Sequence, residues 1–145
     1  MRFVFLIVGV AIILTAGVAW FVSREDGSRT MGKPELSSAE RGKFVFRRCQ
    51  ACHAIGENKK LTGPSLAGVI NRPSGSIEGY RYSNAMAALS VIWDEKTLTE
   101  FLTKPRAFVP GTKMGFGGIK KPQEIQDLLA YLVAEGGLHD AEATQ

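Results

Sequence analysis

The sequence predicts an all-α fold, a small helical head preceded by an N-terminal transmembrane helix. Three observations predict it. An uncharged apolar run opens the chain, capped segments with a 3.6-residue apolar period follow, and no stretch sustains the period-two alternation of a half-buried strand. The 145 residues, with a formal net charge of +4, suffice for one domain and an appendage.

The run Phe3–Val22 has 20 residues without a charge, and Thr15 carries its only hydroxyl. As a helix, at roughly 1.5 Å per residue, it matches the ~30 Å hydrocarbon core of a bilayer. Phe3 and Phe5 stand near one end and Trp20 and Phe21 at the other, where interfacial aromatics belong. Residues 1–22 are read as a signal-anchor that ties the protein to a bilayer, which excludes a soluble cytoplasmic protein. Cleavage after the small-x-small sequence Gly17-Val18-Ala19 is the alternative, but the run exceeds the ~7–15 residues of a signal-peptide core. Arg2 precedes the run, whereas Arg24, Arg29 and Lys33 follow it. Counting basic residues alone would put the head in the cytoplasm. The chemistry of the head, set out below, belongs outside and overrides that count.

Residues 23–36 are polar, contain Gly27, Gly32 and Pro34, and lack an apolar period, so they read as a flexible linker. The domain spans 37–136 and a tail spans 137–145. Everything from Ser37 onward carries +3, because Arg2, Arg24, Arg29 and Lys33 outnumber Glu25, Asp26 and Glu35 by one. There is no low-complexity tract or internal repeat.

Within the head, Ser37 and Glu40 have capping-box spacing and open a helix running towards Cys49. Gly42, Val45, Phe46 and Cys49 share one face of it. A glycine inside a helix costs roughly 0.5–1 kcal/mol against alanine, so another element should pack closely there. Ser83–Leu89 reads as a short helix. Asp94–Lys104 reads as a longer one, capped by Asp94 and ended by Pro105. The last helix begins with Pro122, has Glu124 near its positive end, stops at Gly136-Gly137, and aligns Ile125, Leu128, Leu129 and Leu132 in one stripe. Long loops such as Gly56–Tyr80 and Pro105–Lys121 separate these helices. A head of this length and looseness makes a poor core by itself, so something large and apolar should fill its middle.

Cys49-Gln50-Ala51-Cys52-His53 supplies the filler, because this spacing is the attachment signature of haem c. Two thiols three residues apart on a helical turn can each form a thioether to one vinyl group of the macrocycle. The adjacent His53 then reaches the iron. A structural zinc site needs four ligands, and beyond these three only His139 remains, in the tail. A thioredoxin-like pair should sit beside a βαβ pattern, which is absent. A plain disulfide leaves His53 and the thin core unexplained.

The second axial ligand must come from elsewhere. His139 lies in the tail, Met1 heads the anchor and Met31 is in the linker. Met86 falls in the Ser83–Leu89 helix, where a core role suits it better. Met114 sits in Val109–Gly118, a stretch without period, and a methionine fixed in such a loop must cover something. Met114 is preferred and Met86 ranks next.

On these residues the head resembles the class I c-type cytochromes, mitochondrial cytochrome c and its short bacterial relatives. The likeness covers Ser37 to Ala134. It rests on Cys49–His53, Thr62-Gly63-Pro64, Asn71-Arg72, Gly79-Tyr80-Arg81-Tyr82, Trp93, Pro110–Met114 and Leu128–Leu132 together. The anchor is similar to that of membrane-tethered bacterial members. The resemblance implies the cytochrome c fold around one covalent haem c, with iron held by His53 and Met114. It implies that the Pro64 carbonyl orients His53, that Arg72, Tyr82 and Trp93 hydrogen-bond the haem propionates, and that Thr112 holds the loop presenting Met114. It also implies that Gly42 and Phe46 meet Leu128 and Tyr131 where the first and last helices cross. Phe101 departs from the family, which often has tyrosine there. The missing hydroxyl would have bonded near the methionine sulfur, so a reduction potential does not transfer from relatives.

With both axial positions filled, the resemblance implies an electron carrier and not an enzyme. It would take single electrons from a quinol:cytochrome c oxidoreductase and pass them to a cytochrome c oxidase or similar acceptor. The expected place is a bacterial inner membrane, with the haem domain in the periplasm. Arg48, Lys59, Lys60, Arg106, Lys113, Lys120 and Lys121 would ring the haem edge around Phe116 and steer an acidic partner. A peroxidase-like enzyme would need an open axial site, and a gas sensor would need an output domain that the short chain lacks. Nucleic acid fits poorly, since neither a stacking platform nor a recognised fold is present.

Overall fold

The computed structural model describes residues 35–56 and 61–138. The predicted anchor, nearly all of the linker, Lys59, Lys60 and all but the first two residues of the tail lie outside them. Among the described residues no helix is long and apolar enough to cross a membrane. The head is mostly helical: α1 (Ser38–Phe46), α2 (Asn84–Ala87), α3 (Glu95–Thr103), α4 (Pro105–Phe108) and α5 (Pro122–Gly136).

Local chemistry explains where these helices start. The Ser37 side chain accepts from the Glu40 backbone N–H at 3.2 Å, and Glu40 reaches back to the Ser37 N–H at 2.7 Å, so both arms of the capping box form. Asp94 caps α3 by accepting from the Thr97 N–H at 2.7 Å. Pro105 ends α3 as expected and also opens α4 in the same step, because a proline fits the first helical position. The regular part of α1 stops at Phe46, short of Cys49. Hydrogen-bonded turns continue it, with the Cys49 N–H on the Phe46 carbonyl at 2.7 Å and the His53 N–H on the Cys49 carbonyl at 2.9 Å.

The first and last helices form the main helix pair. A Cβ on Gly42 would sit 2.7 Å from the Cβ of Tyr131 and inside the Asp127 carbonyl group, so this crossing has no room for a side chain. Phe46 and Tyr131 pack beside it with ring centroids 5.4 Å apart. The predicted stripe Ile125, Leu128, Leu129 and Leu132 is buried, as are Val45 and Phe46. One charge joins them. Asp127 is 4% exposed and receives two nitrogens of Arg41, each at 2.9 Å, so the buried carboxylate is paired bidentately. That bond, with Gln123 at 3.1 Å, holds the Asp127 carboxyl below the ordinary aspartate value of 3.8 despite burial.

Trp93, Phe101 and Phe108 form a ring cluster with centroid separations of 5.0 to 6.3 Å. Extended backbone links Arg72 to Trp93: the Trp93 N–H donates to Arg72 at 2.9 Å and the Asn71 N–H donates to Trp93 at 3.0 Å.

Candidate functional site

Cys49 and Cys52 are free thiols, Cys49 half-buried and Cys52 exposed. Burial pushes the Cys49 thiol pKa up, and the neighbouring Arg48 charge offsets part of that. A single helical turn places both, since the Cys52 N–H bonds the Cys49 carbonyl at 3.0 Å.

His53 is the most constrained of the group. Its Nδ1 lies 2.8 Å from the Pro64 carbonyl oxygen. A carbonyl can only accept, so Nδ1 carries a proton, and in the neutral ring Nε2 is the lone-pair nitrogen. The ring lies against Gly63, where a Cβ would come within 2.7 Å of Nδ1 and 2.8 Å of Nε2. Two backbone bonds hold that strip in place: Gly63 N–H to the Cys52 carbonyl at 2.7 Å, and Leu66 N–H to the Ala54 carbonyl at 2.8 Å. The sequence motif Thr62-Gly63-Pro64 includes this glycine, but only Pro64 was given a role from it. The signal was there, a glycine immediately before the orienting proline.

The other site residues divide into three groups. Arg72 is buried and donates to the carbonyls of Ala67 at 2.7 Å and Ser65 at 3.0 Å, and burial lowers its pKa. Trp93 is bonded to it through the backbone and sits in the ring cluster. Tyr82 accepts from the Ile77 N–H at 3.3 Å and stacks edge-on against Tyr80 at 4.7 Å, and burial raises its phenol pKa. The Tyr80 hydroxyl donates to the Thr62 carbonyl at 2.7 Å, which joins two of the sequence motifs. The Thr112 hydroxyl accepts from the Met114 N–H at 3.2 Å. Cys49, Met86, Met114 and Phe116 all pack, half-buried, against the one apolar core.

The residues assigned to a basic face are not equivalent. Arg48 is tied to Glu124 at 2.8 Å and Lys121 reaches the same carboxylate at 3.5 Å, which lowers the Glu124 pKa. Arg106 and Lys120 are exposed. The Lys113 amino group donates to two backbone carbonyls, Arg81 at 3.3 Å and Tyr82 at 3.2 Å.

The donor set fits a covalently held haem. Two cysteines outside any disulfide, one imidazole with its outer nitrogen fixed by a carbonyl, and one half-buried thioether are the groups such a cofactor requires. Cys49 and Cys52 would hold it, His53 and Met114 would face its iron, and Arg72, Tyr82 and Trp93 would offer donors to its propionates.

Comparison with known proteins agrees with this chemistry. The family described as cytochrome c matches residues 39–134. The chain is 49% identical over 94 residues to cytochrome c-550 of Nitrobacter winogradskyi, covering 64% of this chain and 86% of that protein. It is 42% identical over 106 residues to cytochrome c2 of Agrobacterium tumefaciens, covering 70% and 96%. Among solved structures, cytochrome cH from Methylobacterium extorquens is similar with a TM-score of 0.63 at 37% identity, covering 68% of this chain and 99% of that one.

Proposed function

The chain belongs to the cytochrome c family, and we propose that within it this protein is a membrane-tethered carrier of single electrons. As a class I c-type cytochrome it binds one covalently attached haem c and exchanges electrons with redox partners, and it is not an enzyme. The finer reading assigns Cys49 and Cys52 to the two thioethers, His53 and Met114 to the axial positions, and Arg72, Tyr82 and Trp93 to the propionates. The observation that carries it is His53, whose Nδ1 is committed to Pro64 and whose plane is set by Gly63.

Those residues suit electron transfer without bond making. Histidine–methionine ligation and burial from water both raise the reduction potential of a haem iron. A side chain on each face leaves no position for a substrate. The carbonyl on Nδ1 keeps the imidazole in one tautomer and orientation, so little reorganises when an electron arrives.

Residues 1–22 are proposed as a retained anchor in a bacterial inner membrane, with the haem domain in the periplasm, where bacterial c-type cytochromes reside. Residues 23–36, as a flexible linker of 14 residues, have a typical span of roughly 20 Å, comparable to the ~13 Å radius of such a head. Tethering raises the effective concentration of the head near its partners without adding a contact. A quinol-oxidising complex as donor and a terminal oxidase as acceptor fit that arrangement, with Arg48, Arg106, Lys113, Phe116, Lys120 and Lys121 proposed as partner contacts, and Lys59 and Lys60 added to them on the sequence alone.

Two measurements test this. Intact mass of the membrane-fraction protein should equal the full chain plus one haem, and loss of residues 1–19 would remove the anchor. The oxidised protein should show a methionine-to-iron charge-transfer band that Met114→Ala abolishes. A variant with an unchanged oxidised spectrum would reject Met114, and a five-coordinate resting iron would favour a peroxidase-like enzyme.

A further inference from the structure

The outer face of α1 is polar except at one residue. Phe44 is 51% exposed and is the only exposed aromatic among the described residues. Val45 and Phe46, which follow it, belong to the apolar core, and Phe44 does not. The helix itself gains little from it, since lysine or glutamine at that position is a better helix former. A single exposed apolar side chain is ordinary on a protein surface. What sets Phe44 apart is its surroundings.

The Arg47 guanidinium stands over the Phe44 ring, 4.8 Å from its centroid. Beside the ring a groove runs between α1 and the start of α5, with Phe44, Arg47 and Arg48 on one side and Glu124 and Asp127 on the other. Both acids are already neutralised within the head, Asp127 by Arg41 at 2.9 Å and Glu124 by Arg48 at 2.8 Å. Lys43 and Arg47 are exposed, and no carboxylate among the described residues pairs with either. The ring therefore stands on a surface with spare positive charge. Arg48 joins that surface to the partner contacts proposed above, and Cys49 follows directly.

We propose that Phe44, held by Arg47, is an apolar anchor for the redox partner, engaging a surface on which an apolar side chain is ringed by carboxylates. The charge selects that occupant: the spare cations attract acids, and the ring between them takes an apolar group and keeps water from the ion pairs around it. Arg47 covers one face of the ring and orders it beforehand, which lowers the entropy lost on docking. The basic residues then govern encounter, and Phe44 governs how long the complex lasts. The inference rests on the electron-carrier reading and extends its contact surface from the residues around Phe116 onto α1.

The test follows oxidation of reduced full-length holoprotein by detergent-solubilised cytochrome c oxidase. Phe44→Ser should raise KM roughly tenfold, the effect of losing one buried aromatic contact, with kcat unchanged. Its rate should keep the wild-type dependence on salt, because no charge is removed. Phe44→Leu, which keeps apolar bulk, should restore most of the affinity, whereas Arg47→Ala should weaken binding and flatten the salt dependence. Haem content, oxidised spectrum and unfolding midpoint should stay near wild type in all of them, since neither side chain belongs to the core. Phe44→Gln removes the ring with a better helix former and gives the same reading should the serine variant fold poorly. A wild-type KM in the serine or glutamine variant, or leucine behaving like serine, would overturn the proposal. So would a KM that rises only when both proteins share vesicles containing phosphatidylglycerol, which would assign the face to lipid. Self-association of the wild type that Phe44→Ser abolishes at unchanged KM would assign it to a second copy, and again overturn it. A Lys120→Glu variant with wild-type KM and salt dependence would instead remove the partner-contact reading beneath the inference.

Discussion

The crossing of α1 and α5 and the loop Val109–Ile119 do opposite jobs with opposite means. The crossing is regular secondary structure, with Gly42 pressed on the Asp127 backbone, aromatic rings in contact and a buried carboxylate paired bidentately. The loop has almost no regular structure. Its hold includes Thr112 on the Met114 N–H, Lys113 on two carbonyls, the Ile119 N–H on the Leu102 carbonyl at 2.8 Å, the buried ends Val109 and Ile119, and the half-buried Met114 and Phe116. Close packing resists change continuously, whereas a few discrete hydrogen bonds break one at a time. Global stability therefore rests chiefly on the crossing, whereas the loop governs how firmly Met114, the proposed axial ligand, is held.

The largest expected effect lies at the crossing. Gly42→Val forces a branched side chain into the Asp127 carbonyl and Tyr131 and should cost about 3 kcal/mol or more in denaturant unfolding. A small loss would mean that the helices slide apart freely.

Next comes Arg41→Ala, which strips the guanidinium from buried Asp127 and should cost about 2–3 kcal/mol near neutral pH. The pH dependence sharpens the test. Asp127 has a depressed folded pKa, so its contribution is present above the unfolded value near 3.8 and is lost as pH falls through the folded one. Wild type should lose this stability in acid, whereas the variant, having no depressed carboxylate here, should show a flatter acid limb.

Thr112→Val should invert the pattern. It removes the acceptor for the Met114 N–H at about 1 kcal/mol, read as weakened methionine ligation with little change in the unfolding midpoint. Equal losses in both readouts would erase the distinction between the regions. Asp94→Ala, a lost cap at the start of α3, should lower the unfolding midpoint modestly and leave the spectrum alone.

Much of the scaffold was legible in the sequence, because its signals are local. The Ser37/Glu40 box, the Asp94 cap, Pro122 at a first turn and the Ile125–Leu132 stripe all appear where the pattern put them. The pentapeptide Cys49–His53 was legible for the same reason: its chemistry is written in adjacent residues. What escaped depends on partners far along the chain. Nothing in the local pattern marks Asp127 as buried, because Arg41, its partner, stands 86 residues away. The two carbonyls beneath Lys113 likewise belong to residues 32 and 31 positions away in the chain. Pro105 reads as a stop, and that it also starts α4 follows only from the turn at Lys104. Charge gives a residue's cost of burial, but only the fold says what repays it.

The most direct test of the central claim is near-infrared magnetic circular dichroism of the full-length oxidised protein, which distinguishes the second axial ligand opposite a histidine. The expected result is a histidine–methionine signature that disappears in Met114→Ala. A bis-imidazole or histidine–water signature in the wild-type protein would contradict it.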